Sequence, residues 1–409
     1  MKLLIYSHYF EPSIGGVESI VYSLAGGLAE LRKPDSTPEF EVSVVTQTPA
    51  GKFEDRSLSF PVIRQPSLIH LNRLIRRSDV IHVAGPALPP LVLAKIARKP
   101  VVLEHHGYQA ICLNGILLQQ PHGSPCPGHF QAGHYLKCLQ CSAHEVSWLQ
   151  SFKRLGLMLP RYLLARSTTA NIAITQHVSE RHALPHSTVI YYGIENSRAK
   201  SPATDSRGEI ANHLRFAFVG RFVPEKGIPV LLDAARVLKD EGQKFEVLLI
   251  GDGPERSRLE AQIARDGLKH FVRITGFLCG ADLAAALEEV QVVVMPSVWE
   301  EAAGLSVIEQ MMRGRLVIAS KIGGLGEIVG DAGLLCDPGN ARALADCMKS
   351  VLHNTSLGDQ LGEKARERAL QLFQRARMID EHASAYQEVF LGKKSRHDDG
   401  KHETLRANR

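Results

Sequence analysis

One pattern repeats along the chain. A short run of Val, Ile and Leu without polar alternation is followed by a longer segment of helical periodicity. KLLIYS, EVSVVTQ, DVIHVAG and PVVLEHH are the runs of the first half; RFAFVGR, FEVLLIG, FVRITG, VQVVVMPS and LVIAS are those of the second. Runs of this kind are strands buried on both faces, and such strands need a parallel sheet covered by helices. Helical segments are expected at 17–31, 229–239, 256–266, 281–290 and 305–312. Strand–helix alternation in both halves predicts an α/β chain of two Rossmann-like, doubly wound domains, which suits a length of 409 residues.

Composition places the junction. The stretch SRAKSPATDSRGE is polar and rich in turn formers, so the boundary is expected near 196–210. The predicted organisation is a first domain at 1–195, a second at 196–370, a C-terminal helix at 371–391 and a disordered basic tail at 392–409. Residues 1–195 carry 18 Lys and Arg against 13 Asp and Glu, whereas 196–391 carry 24 against 27. The positive excess therefore belongs to the first domain and the tail. Nucleic acid is not expected as a partner. The N-terminal residues read as a first strand rather than a signal peptide, and no apolar run reaches the ~18 residues of a membrane span. The expected location is cytoplasmic.

Chemistry concentrates in two strand-to-helix loops of the second half. In the first, GRFVPEKG, the cations Arg221 and Lys226 flank a turn at the carboxyl end of a strand, where open α/β sheets bind ligands. Two cations and the N–H groups of a helix start suit an anion such as a diphosphate. The second runs from Pro296 to Glu309. Glu301 lies in its loop and Glu309 eight positions on, inside a helix among Val307, Ile308, Met311 and Met312. Carboxylates accept hydrogen bonds from sugar hydroxyls well. Gly304 allows close passage of the loop, and the helix start at Leu305 can face phosphate. IGDGPE, with Gly251 and Gly253, reads as a tight turn.

GRFVPEKG, EAAGLSVIE and KIGGLGEIV in this order resemble the second-domain pattern of the retaining glycosyltransferases of family 4, which have the GT-B fold. EPSIGGVES resembles that family's first-domain Gly-Gly loop, and PVVLEHHG, with His106, one of its middle strands. The resemblance extends to about Phe390. It implies two domains facing a cleft, the first on the acceptor side and the second holding the donor. It implies a hexosyltransferase that moves sugar from a nucleotide-diphosphate sugar to a glycan or lipid-linked acceptor, in polysaccharide or glycolipid biosynthesis. Arg221 and Lys226 would neutralise the diphosphate, Glu301 would meet the sugar ring and Glu309 the ribose hydroxyls. His106 would face the donor sugar, with His105 as the neighbouring alternative. Gly15 and Gly16 would approach phosphate or acceptor, and Gly251 and Gly253 would lie under the base or ribose. No metal cofactor is expected in catalysis. Departures from the pattern are Ala303 before the loop glycine, Gly314-Arg315-Leu316-Val317 after the second Glu, and Tyr192-Gly193 at the end of the first domain. An epimerase of the same fold and a non-catalytic sugar-nucleotide-binding subunit are the rival readings.

Two features lie outside this scheme. Residues 107–146 form a long connection holding Cys112, Cys126, Cys138 and Cys141, four of the seven cysteines. Four thiolates can complete a tetrahedral structural Zn²⁺ site, though only Cys138 and Cys141 have a knuckle spacing. Disordered or partly packed thiols and redox chemistry are the alternatives. The loop is expected to shape acceptor recognition. The segment 148–166 mixes four Lys and Arg with Trp148, Phe152 and Tyr162, and Pro160 is expected to break it into two pieces. It suits either peripheral contact with the inner face of an anionic membrane or packing on the first sheet with a basic outer face.

Overall fold

A computed structural model describes residues 1–13, 15–196 and 214–407, excluding the side chains of Thr355 and of 393–407. The polar junction expected at 196–210 lies almost wholly outside the described residues. The chain forms two compact units. The first comprises Met1–Ile116, Pro127–Ile194 and Arg375–Arg409; the second comprises Leu117–Cys126 and Glu195–Gln374.

The first unit opens with β1 (Lys2–Ser7), α1 (Gly16–Glu30), β2 (Glu41–Thr46), β3 (Val62–Arg64), α2 (Leu68–Arg77), β4 (Val80–Ala84), α3 (Leu88–Ile96) and β5 (Val101–His105). The chain then passes through the two-residue strands β6 (Leu118–Gln119) and β7 (Ser124–Pro125), an antiparallel hairpin that groups with the second unit. It continues with α4 (Tyr135–Ala143), α5 (Trp148–Arg166), β8 (Ala170–Ala173), α6 (Gln176–His182) and β9 (Ser187–Val189). The seven-stranded sheet has the order β3-β2-β1-β4-β5-β8-β9, all parallel. β4 and β5 are buried at every position, as their unalternating sequences require.

The second unit runs β10 (Leu214–Val219), α7 (Ile228–Asp240), β11 (Phe245–Ile250), α8 (Arg256–Arg265), β12 (Val272–Gly276), α9 (Gly280–Glu288), β13 (Val292–Met295), α10 (Leu305–Met312), β14 (Leu316–Ser320), α11 (Gly324–Val329), β15 (Leu334–Cys336), α12 (Ala341–His353) and α13 (Thr355–Leu372). Its parallel sheet has the order β12-β11-β10-β13-β14-β15. In both sheets the winding direction reverses beside the first strand, between β1 and β4 and between β10 and β13. The crevice outside the carboxyl ends of such a strand pair is where doubly wound sheets take ligands.

Three expectations need correction. The C-terminal helix, α14 (Arg375–Ala407), groups with the first unit. It packs on α1, where Arg375 Nε donates to Ser23 Oγ at 3.0 Å. Its backbone is helical beyond residue 391 to Ala407, so the tail expected to be disordered extends the helix; adding residues to a nucleated helix costs far less than starting one. Asn408 and Arg409 lie outside the described residues. Pro160 does not divide 148–166: α5 is one helix through it, opened by a capping box between Ser147 and Gln150. An interior proline forfeits one backbone bond, and α5 offsets that loss by packing against α4 and α3.

Candidate functional site

The two loops at the second unit's switch point are laced together. After β10 a single 3₁₀ turn, Pro224–Lys226, presents Lys226. Lys226 Nζ donates to Glu301 Oε1 at 2.5 Å, and Ser297 Oγ donates to the same oxygen at 2.9 Å. Glu301 and Ser297 are buried and lie in the loop after β13. The backbone joins the two loops as well, Val298 N–H donating to the Glu225 carbonyl at 3.0 Å. Gly227 is needed at this crossing. Its φ is 65°, and a Cβ there would stand 2.0 Å from the Pro296 carbonyl oxygen. A third loop holds Glu301 from behind, where Gly324 N–H at the start of α11 donates to the Glu301 carbonyl at 2.7 Å.

Arg221 is exposed and makes no ion pair among the described residues. Glu309 lies on the first turns of α10, half-buried, and burial raises its carboxyl pKa against the opposing charge of Arg313. Gly304 is the N-cap of α10 and Leu305 its first residue, as expected. Gly251 and Gly253 are required by the packing of their own turn. A Cβ on Gly251 would stand 1.9 Å from the Gly220 carbonyl oxygen, and one on Gly253 2.4 Å from that of Phe222. Both glycines therefore let the 251–253 turn brace the Arg221 loop, an account that needs no ligand. The departure at Arg315 also has a structural account. Its buried guanidinium donates to Gln310 Oε1 at 2.8 Å and to the carbonyls of Val290 and Leu287 at 3.1 and 2.5 Å.

In the first unit, Gly15 precedes α1 in an extended conformation, and Gly16 opens the helix. The Glu18 carboxylate folds back over this start, within 2.3 Å of where a Gly15 Cβ would lie. An acid already occupies the positive end of α1, which disfavours phosphate there. His105, the alternative at the end of β5, is a packed core residue. Its Nε2 meets Asn171 Oδ1 at 2.9 Å, its ring lies against His182, and burial lowers its pKa to about 4. His106 was expected to face a sugar. Its Nδ1 instead meets the Tyr192 hydroxyl at 2.8 Å, and its Nε2 lies 3.5 Å from Glu104 Oε2. Nδ1 is thus hydrogen-bonded within the first unit, while Nε2 faces the Glu104 carboxylate without a hydrogen bond.

Cys138 and Cys141 lie on α4 and Cys112 in the preceding segment, while Cys126 falls in the hairpin segment that groups with the second unit. Asn114 links two of them: Cys112 Sγ meets its Oδ1 at 2.7 Å and its Nδ2 lies 4.0 Å from Cys141 Sγ. Among the described residues, no group of three or more His, Cys, Asp or Glu side chains is arranged to hold a metal ion. The expected Zn²⁺ ligand set is therefore not assembled there. No helix among the described residues is long and apolar enough to cross a membrane.

The sequence pointed to Lys226 and Glu301, which meet in the second unit, but not to Ser297 or Glu104. A serine after an apolar strand carries no distinguishing pattern. The one available signal for Glu104 was a charge inside the run VVLEHH.

Comparison with known proteins adds the following. Residues 204–368 match the family described as "Glycosyl transferases group 1", so the second unit carries a group 1 glycosyl transferase domain. The 2-deoxystreptamine glucosyltransferase of Streptomyces kanamyceticus is 41% identical over 137 residues, 33% of this chain and 35% of that protein. The O-antigen chain mannosyltransferase C of Escherichia coli is 25% identical over 404 residues, 94% of this chain and 98% of that one. The chain spans 35–45% of the length of three glycosyltransferases that it matches locally. Among solved structures, Anabaena HepE in complex with UDP-glucose superposes with a TM-score of 0.70 at 20% identity, covering 95% of this chain and 100% of that one. The fold is GT-B, with two Rossmann-like domains.

Proposed function

We propose that this protein is a retaining glycosyltransferase of family 4. It would transfer a hexose from a nucleotide-diphosphate sugar to a glycan or lipid-linked acceptor, in polysaccharide or glycolipid biosynthesis. The observation that carries the reading is the Lys226–Glu301–Ser297 cluster at the switch point of a group 1 domain. Cleavage of the sugar–phosphate bond leaves negative charge on the diphosphate. Lys226 and the exposed Arg221 supply positive charge beside the strand end, in a site fixed before substrate arrives. Glu301, paired with Lys226, is the carboxylate for the sugar ring, and Glu309 the one for the ribose hydroxyls. Arg221, Lys226 and Glu301 account for leaving-group and sugar contacts without assigning a metal. The sugar centre becomes oxocarbenium-like, and retention follows from front-face attack by the acceptor. Gly15 and Gly16, with the Glu18 carboxylate beside them, suit acceptor hydroxyls better than phosphate.

The test begins with a panel of nucleotide sugars in a thermal-shift assay, since a ligand that binds only the folded protein raises its melting temperature. Transfer of labelled sugar from the stabilising donor is then compared with Lys226→Ala. The variant is expected to fold, to bind donor more weakly and to lose about 10²–10³-fold in kcat. Unchanged donor binding and turnover in that variant would sink the assignment.

The acceptor side supports a membrane location. α5 exposes Trp148, Leu149 and Phe152 beside Lys153, with Arg166 exposed at its far end, a basic amphipathic face suited to anionic lipid at the cytoplasmic surface. Structural zinc stays a proposal on the cysteine cluster, two of whose thiols, Cys112 and Cys141, contact Asn114. Stoichiometric zinc in purified protein, lost in Cys138→Ser, supports it; no zinc in either protein removes it.

A further inference from the structure

Three imidazoles of the first unit converge on one buried carboxylate. Glu104, on β5, is 1% exposed. Its Oε2 lies 3.2 Å from His82 Nε2 and 3.5 Å from His106 Nε2, and its Oε1 lies 3.5 Å from His382 Nε2. None of these facing atoms makes a well-aligned hydrogen bond, so the contacts are electrostatic. Burial opposes ionisation of Glu104, but the facing imidazoles of His106, His382 and His82 outweigh it and hold the carboxyl well below its usual range. Two tyrosines close the network. The Tyr386 hydroxyl meets His82 Nδ1 at 3.0 Å, and the Tyr192 hydroxyl meets His106 Nδ1 at 2.8 Å. Burial raises Tyr192 well above the usual phenol range, with the charges of Glu104 and Glu18 adding to it, so its O–H stays protonated.

We propose that Glu104 is a positioning residue for His106. Its carboxylate takes the Nε2–H edge of the ring while the Tyr192 O–H donates to Nδ1, which fixes one tautomer and one ring orientation at the end of β5. An ionised carboxylate can only accept, so the ring proton of a neutral His106 belongs on Nε2, facing the charge, and Nδ1 is then left to accept from the Tyr192 O–H. The polar groups this position can offer a ligand are consequently its backbone ones. The surroundings of His106 are Glu104 and His105 at the end of β5, His82 on β4, His382 on α14 and Tyr192. Of these, Glu104 favours the imidazolium, while burial and the neighbouring imidazoles oppose it. The inference rests on the proposed glycosyl transfer for its catalytic consequence, but not for its geometry.

The test uses ¹⁵N NMR of the full chain, with His106 assigned by its loss in His106→Gln. The expected wild-type spectrum near neutral pH is a neutral ring protonated on Nε2. In Glu104→Gln, His106 is expected to titrate about one pH unit lower, a tenfold loss of proton affinity. The acid limb of kcat should move with it while donor KM holds. Tyr192→Phe should change the Nδ1 resonance. If Glu104→Gln fails to fold, the wild-type tautomer and the Tyr192→Phe spectrum decide. A wild-type ring protonated on Nδ1, or a His106 titration or kcat limb unmoved in a folded Glu104→Gln, overturns the proposal. Absence of sugar transfer by the wild-type protein would instead overturn the proposed function, and the imidazole spectra do not depend on it.

Discussion

Lys226 and Glu301 depend on a glycine for their meeting. At Gly227 a side chain would enter the Pro296 carbonyl and require a left-handed backbone. Gly227→Ala is expected to lower stability by about 2 kcal/mol or more, measured by denaturant unfolding, with or without donor. Glu309 makes a pH prediction. Its carboxyl pKa is raised by burial, and only the ionised form accepts hydrogen bonds at both oxygens. Donor affinity should therefore weaken with falling pH at a higher pH than an exposed glutamate would set. Glu309→Gln should bind donor weakly across that range without the acid limb, as calorimetry would show. The charges of the site were legible because Arg221, Lys226, Glu301 and Glu309 stand at fixed spacings after apolar runs. The orientation of His106 was not, because its partners Glu104 and Tyr192 come from different segments and only the fold brings them to it. Tyr192 stood out as a departure from the family pattern without revealing its contact.

Strands were the most legible elements, since a run such as VVVM admits little but burial on both faces. Helix ends were harder. Pro160 suggested a break, but local propensity yields where neighbouring helices pack along the whole length. The destination of α14 was also hidden: nothing in 375–391 states which sheet its apolar face will cover. Its contact with α1 is close, since a Cβ on Gly27 would stand 2.0 Å from Ile379 Cδ1. Gly27→Val is expected to cost about 1–3 kcal/mol, read as a fall in melting temperature, through overpacking between the two helices. Gly27→Ala should cost less, because its gain in helix propensity offsets part of the crowding.

At the scale of the whole molecule, the uneven charge and the exposed α5 face point the same way. Binding to anionic vesicles is expected to fall as salt rises and to drop several-fold in a Trp148→Ser, Phe152→Ser variant, measured by sedimentation. The two-domain plan was legible because the strand–helix alternation restarts after the polar segment. The interleaving was not. The first unit is assembled from three stretches of chain, the last beginning at Arg375. Tyr386 and His382 from that last stretch cover His82 and Glu104, which are made some three hundred residues earlier. On the ribosome, the first unit must therefore wait with that carboxylate uncovered until the residues after Arg375 have emerged. The second unit, whose main segment closes at Gln374, can finish before it. The order of completion is then the reverse of the order of synthesis, and the nascent first unit is where a chaperone would be needed.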